Sequence, residues 1–248
     1  MLQPVIYFFV ALQFLTVSPA LIRRIFTPQE MGQATACFPL VGALIGGLIL
    51  ATSLLLDLIF PPFVRAGLVL ALWVGISGGL HLDGFLDSCD GLFGGFTPEE
   101  RLEIMKDERV GAFAFAGGFL LLLLKFSALS SLPAGTVGLL IAPIISRWVI
   151  STAIFAFPYA REKGLGRAMK DHMTAWQVVI SAVLMLAFVV WLAGWLGLAA
   201  AGAAVLLMGI SAAFILRRIP GLTGDSYGAL NEIVELGVLL LFAVRGMS

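Results

Sequence analysis

The sequence has 248 residues, with 15 Lys and Arg, 15 Asp and Glu, and a formal net charge of zero. Hydrophobic residues make up 60% and charged residues 12% of the chain, whereas soluble domains carry roughly 45–50% and about 25%. This composition excludes a soluble globular domain and a disordered chain, and the neutral balance argues against nucleic-acid binding. The two cysteines, Cys37 and Cys89, provide no disulfide framework. We therefore expect a single membrane-embedded domain over residues 1–248.

Long, continuous apolar runs predict membrane-spanning helices, since one span needs roughly 20 mostly apolar residues. The strands of a membrane barrel would instead alternate in hydropathy. The expected fold class is therefore all-α, a polytopic membrane helical bundle with six clear transmembrane helices and two marginal terminal ones. The clear runs are 34–60, 63–80, 110–132, 135–157, 175–193 and 195–216, and the marginal runs are 4–19 and 233–244.

Most basic residues fall in connections on one predicted side of the membrane. If all eight runs cross, residues 20–33, 81–109, 159–174 and 217–232 share a side and carry 11 of the 15 basic residues. The opposite connections are short turns, one of them at Gly194. The positive-inside rule places the charged connections in the cytoplasm. We expect a multi-pass protein of a cytoplasmic (inner) membrane, with these connections on its cytoplasmic face.

The segment after the second run contains three carboxylates, Asp83, Asp87 and Asp90, at positions i, i+4 and i+7. On a helix they fall within an arc of about 60°. Like charges this close repel unless a cation lies between them, and oxygen ligands suit Mg²⁺ or Mn²⁺. Carboxylates at a membrane helix end are commonly functional, and a solvated acidic loop is the alternative. His81, one turn away, is a candidate general base or simply a hydrogen-bonded side chain.

A dense charged run at 101–111 follows a predicted helix start with Thr97 as its N-cap. Lys106 and Arg109 are candidate phosphate ligands, and Asp107 is a candidate metal ligand. An amphipathic surface helix explains the run equally well.

Residues 220–232 form a glycine-rich loop before the last apolar run. Free backbone N–H groups at a helix N-terminus bind anions, so Thr223 and Gly224 are candidate substrate contacts. Asp225 and Glu232 are candidate metal ligands. Glycine is also common in ordinary turns, so the glycine-rich pattern alone is weak evidence for an anion site. The predicted location of this loop on the same side as the acidic segment strengthens that interpretation.

Arg147 lies inside an apolar run, where an arginine is costly and normally has a carboxylate or phosphate partner. We expect it to pair with one of the three Asp residues or to contact substrate. Snorkelling of the side chain to the membrane surface is the alternative, and Lys125 fits that alternative better. Together, the carboxylates, cations and glycine-rich loop predict metal-assisted phosphoryl chemistry at the membrane, with a large or lipophilic substrate.

Several motifs then resemble one family in order along the chain. The strongest are GGLHLDGFLDSCDGLFGG at 78–95, RLEIMKDERVGAF at 101–113 and GLTGDSYGALNEIVE at 221–235; weaker ones are FLTVSP at 14–19, FPLVGALIGG at 38–47, SRW at 146–148 and PYAREKGLG at 158–166. The chain thereby resembles the cobalamin synthase family (adenosylcobinamide-GDP ribazoletransferase, cobalamin-5′-phosphate synthase). Two departures are the absence of a basic residue within FLTVSP and Cys89 in place of a small residue.

The resemblance implies that adenosylcobinamide-GDP and α-ribazole, or α-ribazole 5′-phosphate, give adenosylcobalamin, or its 5′-phosphate, and GMP. This is the assembly of the lower nucleotide loop of vitamin B12, and the family uses Mg²⁺. The implied metal ligands are Asp83, Asp87, Asp90, Asp107, Asp225 and Glu232. The implied substrate-binding residues are Lys106, Arg109, Arg147, Arg161, Thr223 and Gly224. The implied catalytic residues are Asp83, Asp87, Asp90 and His81, with the active site on the cytoplasmic face.

Other expected partners are the lipid bilayer, cobalamin pathway enzymes that dock to supply substrates, and a second copy of the chain in a homo-oligomer. Two alternatives to the family remain open. A CDP-alcohol phosphotransferase shares the DxxDG pattern at 87–91, but its continuation is missing at 92–95. An ion-coupled transporter would place its carboxylates near the middle of the bilayer on paired half-helices.

Overall fold

The computed structural model describes residues 3–244, which form helices joined by short connections. Within this range the only strand-like pairing is one isolated bridge between Tyr159 and Leu222. The predicted all-α class is confirmed. The helices are α1 (Gln3–Leu15), α2 (Pro28–Ala34), α3 (Phe38–Asp57), α4 (Pro62–Ile76), α5 (Leu80–Gly94), α6 (Pro98–Ile104), α7 (Ala112–Ser131), α8 (Gly138–Ala156), α9 (Leu165–His172), α10 (Ala175–Leu216) and α11 (Gly224–Phe242).

Several helices are long and apolar enough to cross a membrane, which supports the predicted polytopic membrane protein. Among the described residues there are four, or five if α4 and α5, which are bent by 88° relative to each other, form one span. The four are Pro28–Asp57, Ala112–Ser131, Gly138–Ala156 and Ala175–Leu216. The predicted number of crossings, six to eight, stays a prediction.

The longest helix, α10, consists of two segments that meet at Gly194. It contains 42 residues, about twice the length that one span needs. Gly194 has φ 55° and ψ −127°, a backbone conformation that glycine adopts without strain. A Cβ on Gly197 would overlap the backbone oxygen of Val189, although residues eight apart on a straight helix lie about 12 Å apart. The chain therefore turns back at Gly194, at the boundary between two of the predicted runs.

The centre of the molecule is α8, which is buried along most of its length and packs against α3, α10 and α11. Glycines bring α3 and α8 close together. A Cβ on Gly42 would overlap the backbone of Pro143, and one on Gly46 would lie 2.6 Å from the carbonyl oxygen of Leu140. Small residues are typical of such membrane helix contacts, because lipid supplies no hydrophobic drive between helices.

Glycines also allow α5 and α11 to cross at close range. A Cβ on Gly84 would lie 2.9 Å from Cα of Asp225, and one on Gly228 would lie 2.9 Å from the carbonyl oxygen of His81. Most of the segment 220–232 belongs to α11, so its interpretation as a loop was wrong. Its glycines serve helix packing as well as the turn before the helix. This crossing brings the first turn of α5 next to the N-terminus of α11.

The connections that were predicted to share a side do meet at one end of the molecule. Nε2 of Gln177, in the first turn of α10, donates to Oε1 of Gln33 in α2 at 2.6 Å, which joins these two helices. Arg101 donates to the carbonyl oxygen of Arg218 at 3.0 Å, which joins α6 to the end of α10. We call this the charged end of the molecule.

Candidate functional site

A cavity of about 260 Å³ opens at the charged end. It lies between α1, the start of α5, α8, α9 and the start of α11. Its polar lining consists of His81, Asp83, Tyr159, Arg161, Lys163, Asp225 and Tyr227, together with the backbone of Gly164, Gly224 and Gly228. Five residues predicted from the sequence are therefore brought together here. They are His81, Asp83, Arg161, Gly224 and Asp225.

The carboxylates at this cavity come from two helices. Asp83 is exposed in the first turn of α5 and lines the cavity, whereas Asp87, half-buried one turn further along the same helix face, lies outside the lining. Asp225 is in the first turn of α11, where Nη2 of Arg161 donates to its Oδ2 at 2.7 Å. The same Nη2 also lies 3.4 Å from the carbonyl oxygen of Met105. Arg161 thus joins the α9 side of the cavity to α11 and to the segment after α6.

The start of α11 is held in place by backbone and side-chain contacts. Thr223 is the N-cap, and its Oγ1 accepts a hydrogen bond from the Ser226 N–H at 3.1 Å. Thr223 is completely buried, whereas Gly224 is exposed at the cavity. The predicted anion contact is therefore supported for the backbone of Gly224, while Thr223 acts as the cap of the helix.

A short pairing of two connections fixes the rim of the cavity. The Ala160 N–H donates to the carbonyl oxygen of Leu222 at 2.8 Å, and the Leu222 N–H donates to that of Pro158 at 2.8 Å. A Cβ on Gly221 would lie 2.7 Å from both Ala160 N and Pro158 O. Glycine at 221 is thus required for this close approach, which sets the position of Arg161 relative to Asp225.

Asp90 is engaged in a structural contact instead of facing the cavity. Its carboxylate accepts the Gly111 N–H at 2.6 Å and the Ala114 N–H at 2.8 Å, so it caps the N-terminus of α7. These donors are 21 and 24 residues further along the chain, which local sequence patterns do not reveal. The expected role in metal binding stays a prediction, and the geometry gives it no support.

The charged run after α6 lies on the surface outside the cavity lining. Arg109 Nη2 donates to Asp107 Oδ2 at 2.9 Å, with the two side chains 88% and 41% exposed. This guanidinium holds the pKa of Asp107 below its usual range. Lys106 pairs with Glu103 at 2.9 Å. Their exposure and their pairing with neighbouring acids favour the amphipathic surface segment over a phosphate site.

Four charged side chains form a cluster inside the helix bundle, here called the buried ion cluster. Lys125 Nζ lies 2.5 Å from Glu232 Oε2 and 2.7 Å from Glu235 Oε2, and Arg147 is paired with Glu235. All four side chains are at most 7% exposed. Two cations face two carboxylates, because an unpaired charge in an apolar interior is costly.

The buried ion cluster corrects three expectations. Arg147 does have a carboxylate partner, but that partner is Glu235 instead of one of the three Asp residues on α5. Lys125 does not snorkel to the membrane surface, since it is 1% exposed between two carboxylates. Glu232 is already bound by Lys125 and is not free to hold a metal. Glu235 was quoted within a motif but had no assigned role.

The sequence analysis also missed an aromatic wall of the cavity. The rings of Tyr159 and Tyr227 lie 6.1 Å apart, with an angle of 22° between their planes. Burial raises the pKa of Tyr159, so its phenol stays protonated near neutral pH. Both tyrosines lie within motifs that were noted for their resemblance, but nothing in hydropathy or spacing distinguishes them from core residues.

The fold and the site define a class, a multi-pass helical membrane protein with carboxylates and cations around a cavity at its charged end. Comparison with known proteins then identifies the family. The profile of the cobalamin-5-phosphate synthase family matches residues 7–243. The chain belongs to this family and is a transferase, which decides against the two alternatives that the sequence left open.

Individual relatives agree over nearly their full length. A protein of Pseudomonas aeruginosa named adenosylcobinamide-GDP ribazoletransferase is 43% identical over 242 residues, covering 95% of this chain and 96% of the relative. Relatives of the same name from Desulfitobacterium hafniense and Acinetobacter baumannii are each 41% identical, over 93% and 96% of this chain and 94% and 96% of the relatives. No solved structure matches the chain with statistical significance.

Proposed function

We propose that this protein joins adenosylcobinamide-GDP to α-ribazole, or to its 5′-phosphate, with release of GMP. The observation that carries the proposal is the meeting of Asp83, Asp225 and Arg161 at one cavity, in a chain whose relatives bear this enzyme's name. Diphosphate chemistry asks a protein mainly for positioning and for neutralisation of charge. Carboxylates and cations around a cavity at the membrane surface provide both.

We further propose that Mg²⁺ is the cofactor and that Asp83, Asp87 and Asp225 are the residues that would hold it. Among residues 3–244, no three His, Cys, Asp or Glu side chains are already gathered tightly enough to surround an ion. Mg²⁺ usually takes only one or two carboxylates and completes its shell with phosphate oxygens and water. The donor set fits such a substrate-completed site, in which the ion supplies charge neutralisation on the diphosphate.

The residues around the cavity can carry the remaining steps. The hydroxyl of the α-ribazole ribose attacks the phosphorus that is attached to cobinamide, a new P–O bond forms, and the P–O bond to GMP breaks. Asp83 is exposed at the cavity and accepts the hydroxyl proton. Arg161 and Lys163 hold the phosphate oxygens, because a guanidinium matches their geometry and a lysine adds a mobile charge.

We place the charged end in the cytoplasm of a bacterial or archaeal cell. The support is the concentration of basic residues in the connections that meet there. Docking of the enzymes that supply the substrates is proposed as a consequence of an active site that opens at the membrane surface. Assembly into a homo-oligomer is proposed from the glycine-rich helix faces, where Gly47, Gly202 and Gly209 have no neighbour in the described residues within reach of an added Cβ.

The test is turnover by purified protein, with and without Mg²⁺, by Asp83→Asn, Asp87→Asn and a control. The control is Glu99→Gln, an exposed acid in the first turn of α6. We expect the Asp variants to lose at least about 100-fold in rate, a barrier increase of about 2.7 kcal/mol, while the control stays within twofold. Wild-type rates in both Asp variants would remove the metal assignment. Absence of GMP release from folded wild-type protein would remove the proposed reaction.

A further inference from the structure

The cavity has the size and lining of a nucleoside site instead of a corrinoid site. Its volume of about 260 Å³ lies just below the roughly 300–1,000 Å³ of small-molecule sites. The molecular volume of a corrin ring with its side-chain amides is several times larger than this cavity. A benzimidazole nucleoside is much closer to it. The cavity therefore matches the nucleoside in size, and a more open groove of about 670 Å³ lies beside it and shares Phe14, Leu80 and Asp83.

Hydrocarbon and aromatic side chains form much of the rest of the lining. Leu15, Ile150, Ile154 and Met169 are buried, Phe14 is half-buried, and Leu165 is exposed at the rim. A guanine base presents several donors and acceptors, and each would lose hydrogen bonds to water at such a wall. A dimethylbenzimidazole base is flat and mostly apolar, with a single free ring nitrogen. It loses far fewer hydrogen bonds to water on entering the cavity. The near-parallel rings of Tyr159 and Tyr227 offer it an aromatic face.

Two buried polar atoms on this side of the cavity lack partners. His81 Nδ1 and the Tyr227 hydroxyl have no hydrogen bond among the described residues, and the two residues are 3% and 5% exposed. Buried polar groups are normally hydrogen-bonded. An imidazole N–H or a phenol O–H can donate to the one free nitrogen of the base. The free ring nitrogen of this base would supply a hydrogen-bond partner to one of these two atoms.

The charged groups lie at the opening, on the side where ribose and phosphate would be. Asp83 and Asp225 are at the mouth, with Arg161 bound to Asp225 at 2.7 Å. Lys163 is exposed there and forms no ion pair among residues 3–244. A 5′-phosphate would thus find a cation, and the ribose hydroxyls would lie near the carboxylates.

We propose that this cavity binds the benzimidazole nucleoside, with its base against Tyr159 and its ribose towards Asp83, while the corrinoid nucleotide approaches from outside the cavity. This inference rests on the proposed function, whose two substrates it assigns to different places. The rim glycines support the arrangement. A Cβ on Gly166 would lie 2.7 Å from the Tyr159 ring, so the glycine lets α9 approach and hold that ring at the cavity wall.

The experiment measures KM for each substrate separately in Tyr159→Ala, Tyr159→Phe and Leu165→Asp. Leu165 is 58% exposed, so its substitution does not threaten the fold. We expect Tyr159→Ala and Leu165→Asp to raise KM for α-ribazole about tenfold, with KM for adenosylcobinamide-GDP within twofold of wild type. Tyr159→Phe keeps the ring and restores most of the affinity. Phe93→Ala, an exposed aromatic outside this cavity, is the matched control.

Direct binding separates failure of this inference from failure of the proposed function. Equilibrium dialysis measures α-ribazole binding to detergent-solubilised wild-type and Tyr159→Ala protein without the second substrate. Binding that Tyr159→Ala weakens supports the inference even if turnover is absent. Turnover with an unchanged KM for α-ribazole in both Tyr159→Ala and Leu165→Asp overturns the inference and leaves the function standing. A raised KM for adenosylcobinamide-GDP instead would assign the cavity to the other substrate.

Discussion

Glu235 is the residue on which the buried ion cluster depends, since it binds both Lys125 and Arg147. Glu235→Gln leaves two buried cations with one carboxylate between them. Removing one partner of a buried pair typically costs about 3–5 kcal/mol, because the remaining charge stays desolvated. We expect the free energy of unfolding in detergent to fall by that amount, measured by denaturant titration.

Glu103→Gln is the control for this prediction. It removes an exposed carboxylate from its pair with Lys106, with side chains 76% and 54% exposed. Exposed pairs contribute about 0–1 kcal/mol, so little change is expected. Equal, small effects of Glu235→Gln and Glu103→Gln would contradict the view that the cluster stabilises the bundle.

Asp90 allows a capping role to be distinguished from a metal-binding role with one substitution. The Gly111 and Ala114 N–H groups donate to different oxygens of Asp90. Asn keeps one of these two acceptors, but it removes the charge that a metal ligand needs. We expect Asp90→Asn to keep turnover within about threefold and Asp90→Ala to lose about 1 kcal/mol of stability, as other lost helix caps do. A loss of turnover by Asp90→Asn as large as that of Asp83→Asn would return Asp90 to the metal site.

At the scale of elements, the contact between α3 and α8 depends on individual glycines. A Cβ on Gly42 would overlap the backbone of Pro143, whereas a Cβ on Gly47 in the same helix would meet nothing within 4 Å. We expect Gly42→Ala to lower the free energy of unfolding by about 1–3 kcal/mol, as overpacking does. Gly47→Ala should be neutral or slightly stabilising, because alanine favours helix. Unfolding of both variants under the same conditions checks the difference.

Elements could be predicted from the sequence where the signal is local. The apolar runs predicted the long helices, Gly194 predicted the turn in α10, and Thr97 is the expected N-cap of α6, where the structure adds a capping box with Glu100. Contacts between distant segments could not be predicted in this way. Nothing in the sequence around Arg147 indicates Glu235, 88 residues away. The glycines within 221–228 likewise do not reveal from sequence alone whether they belong to a loop or to a contact between helices.

The same limit applies to the site. The Asp residues on α5 were found because their spacing is helical and their charge is unusual beside a membrane. Tyr159 and Arg161 come to the cavity through the pairing of two connections around Leu222, and Tyr227 comes to it through the crossing of α5 and α11. A side chain that looks like core or surface in isolation acquires its place from that pairing.

At the scale of the whole molecule, the charged end predicts how the chain is oriented in the membrane. Cys37 and Cys89 are first replaced by Ser, and single cysteines are then introduced at Glu108 and at Leu58, both exposed. In intact cells, a membrane-impermeant thiol reagent should label Leu58→Cys and should reach Glu108→Cys only after permeabilisation. Labelling of Glu108→Cys in intact cells would reverse the proposed orientation.

The reversal of α10 at Gly194 also determines how little of the protein faces the other compartment. The connection from α3 to α4 is residues 58–61, that from α7 to α8 is 132–137, and α10 turns back without a loop. Between α3 and α10, a protease or an antibody applied from that side would meet only these short connections. Vesicles that carry the enzyme with its charged end outward should therefore make product with both reactants added to the bath and nothing sealed inside. The bilayer would then anchor this enzyme without separating its two substrates into different compartments.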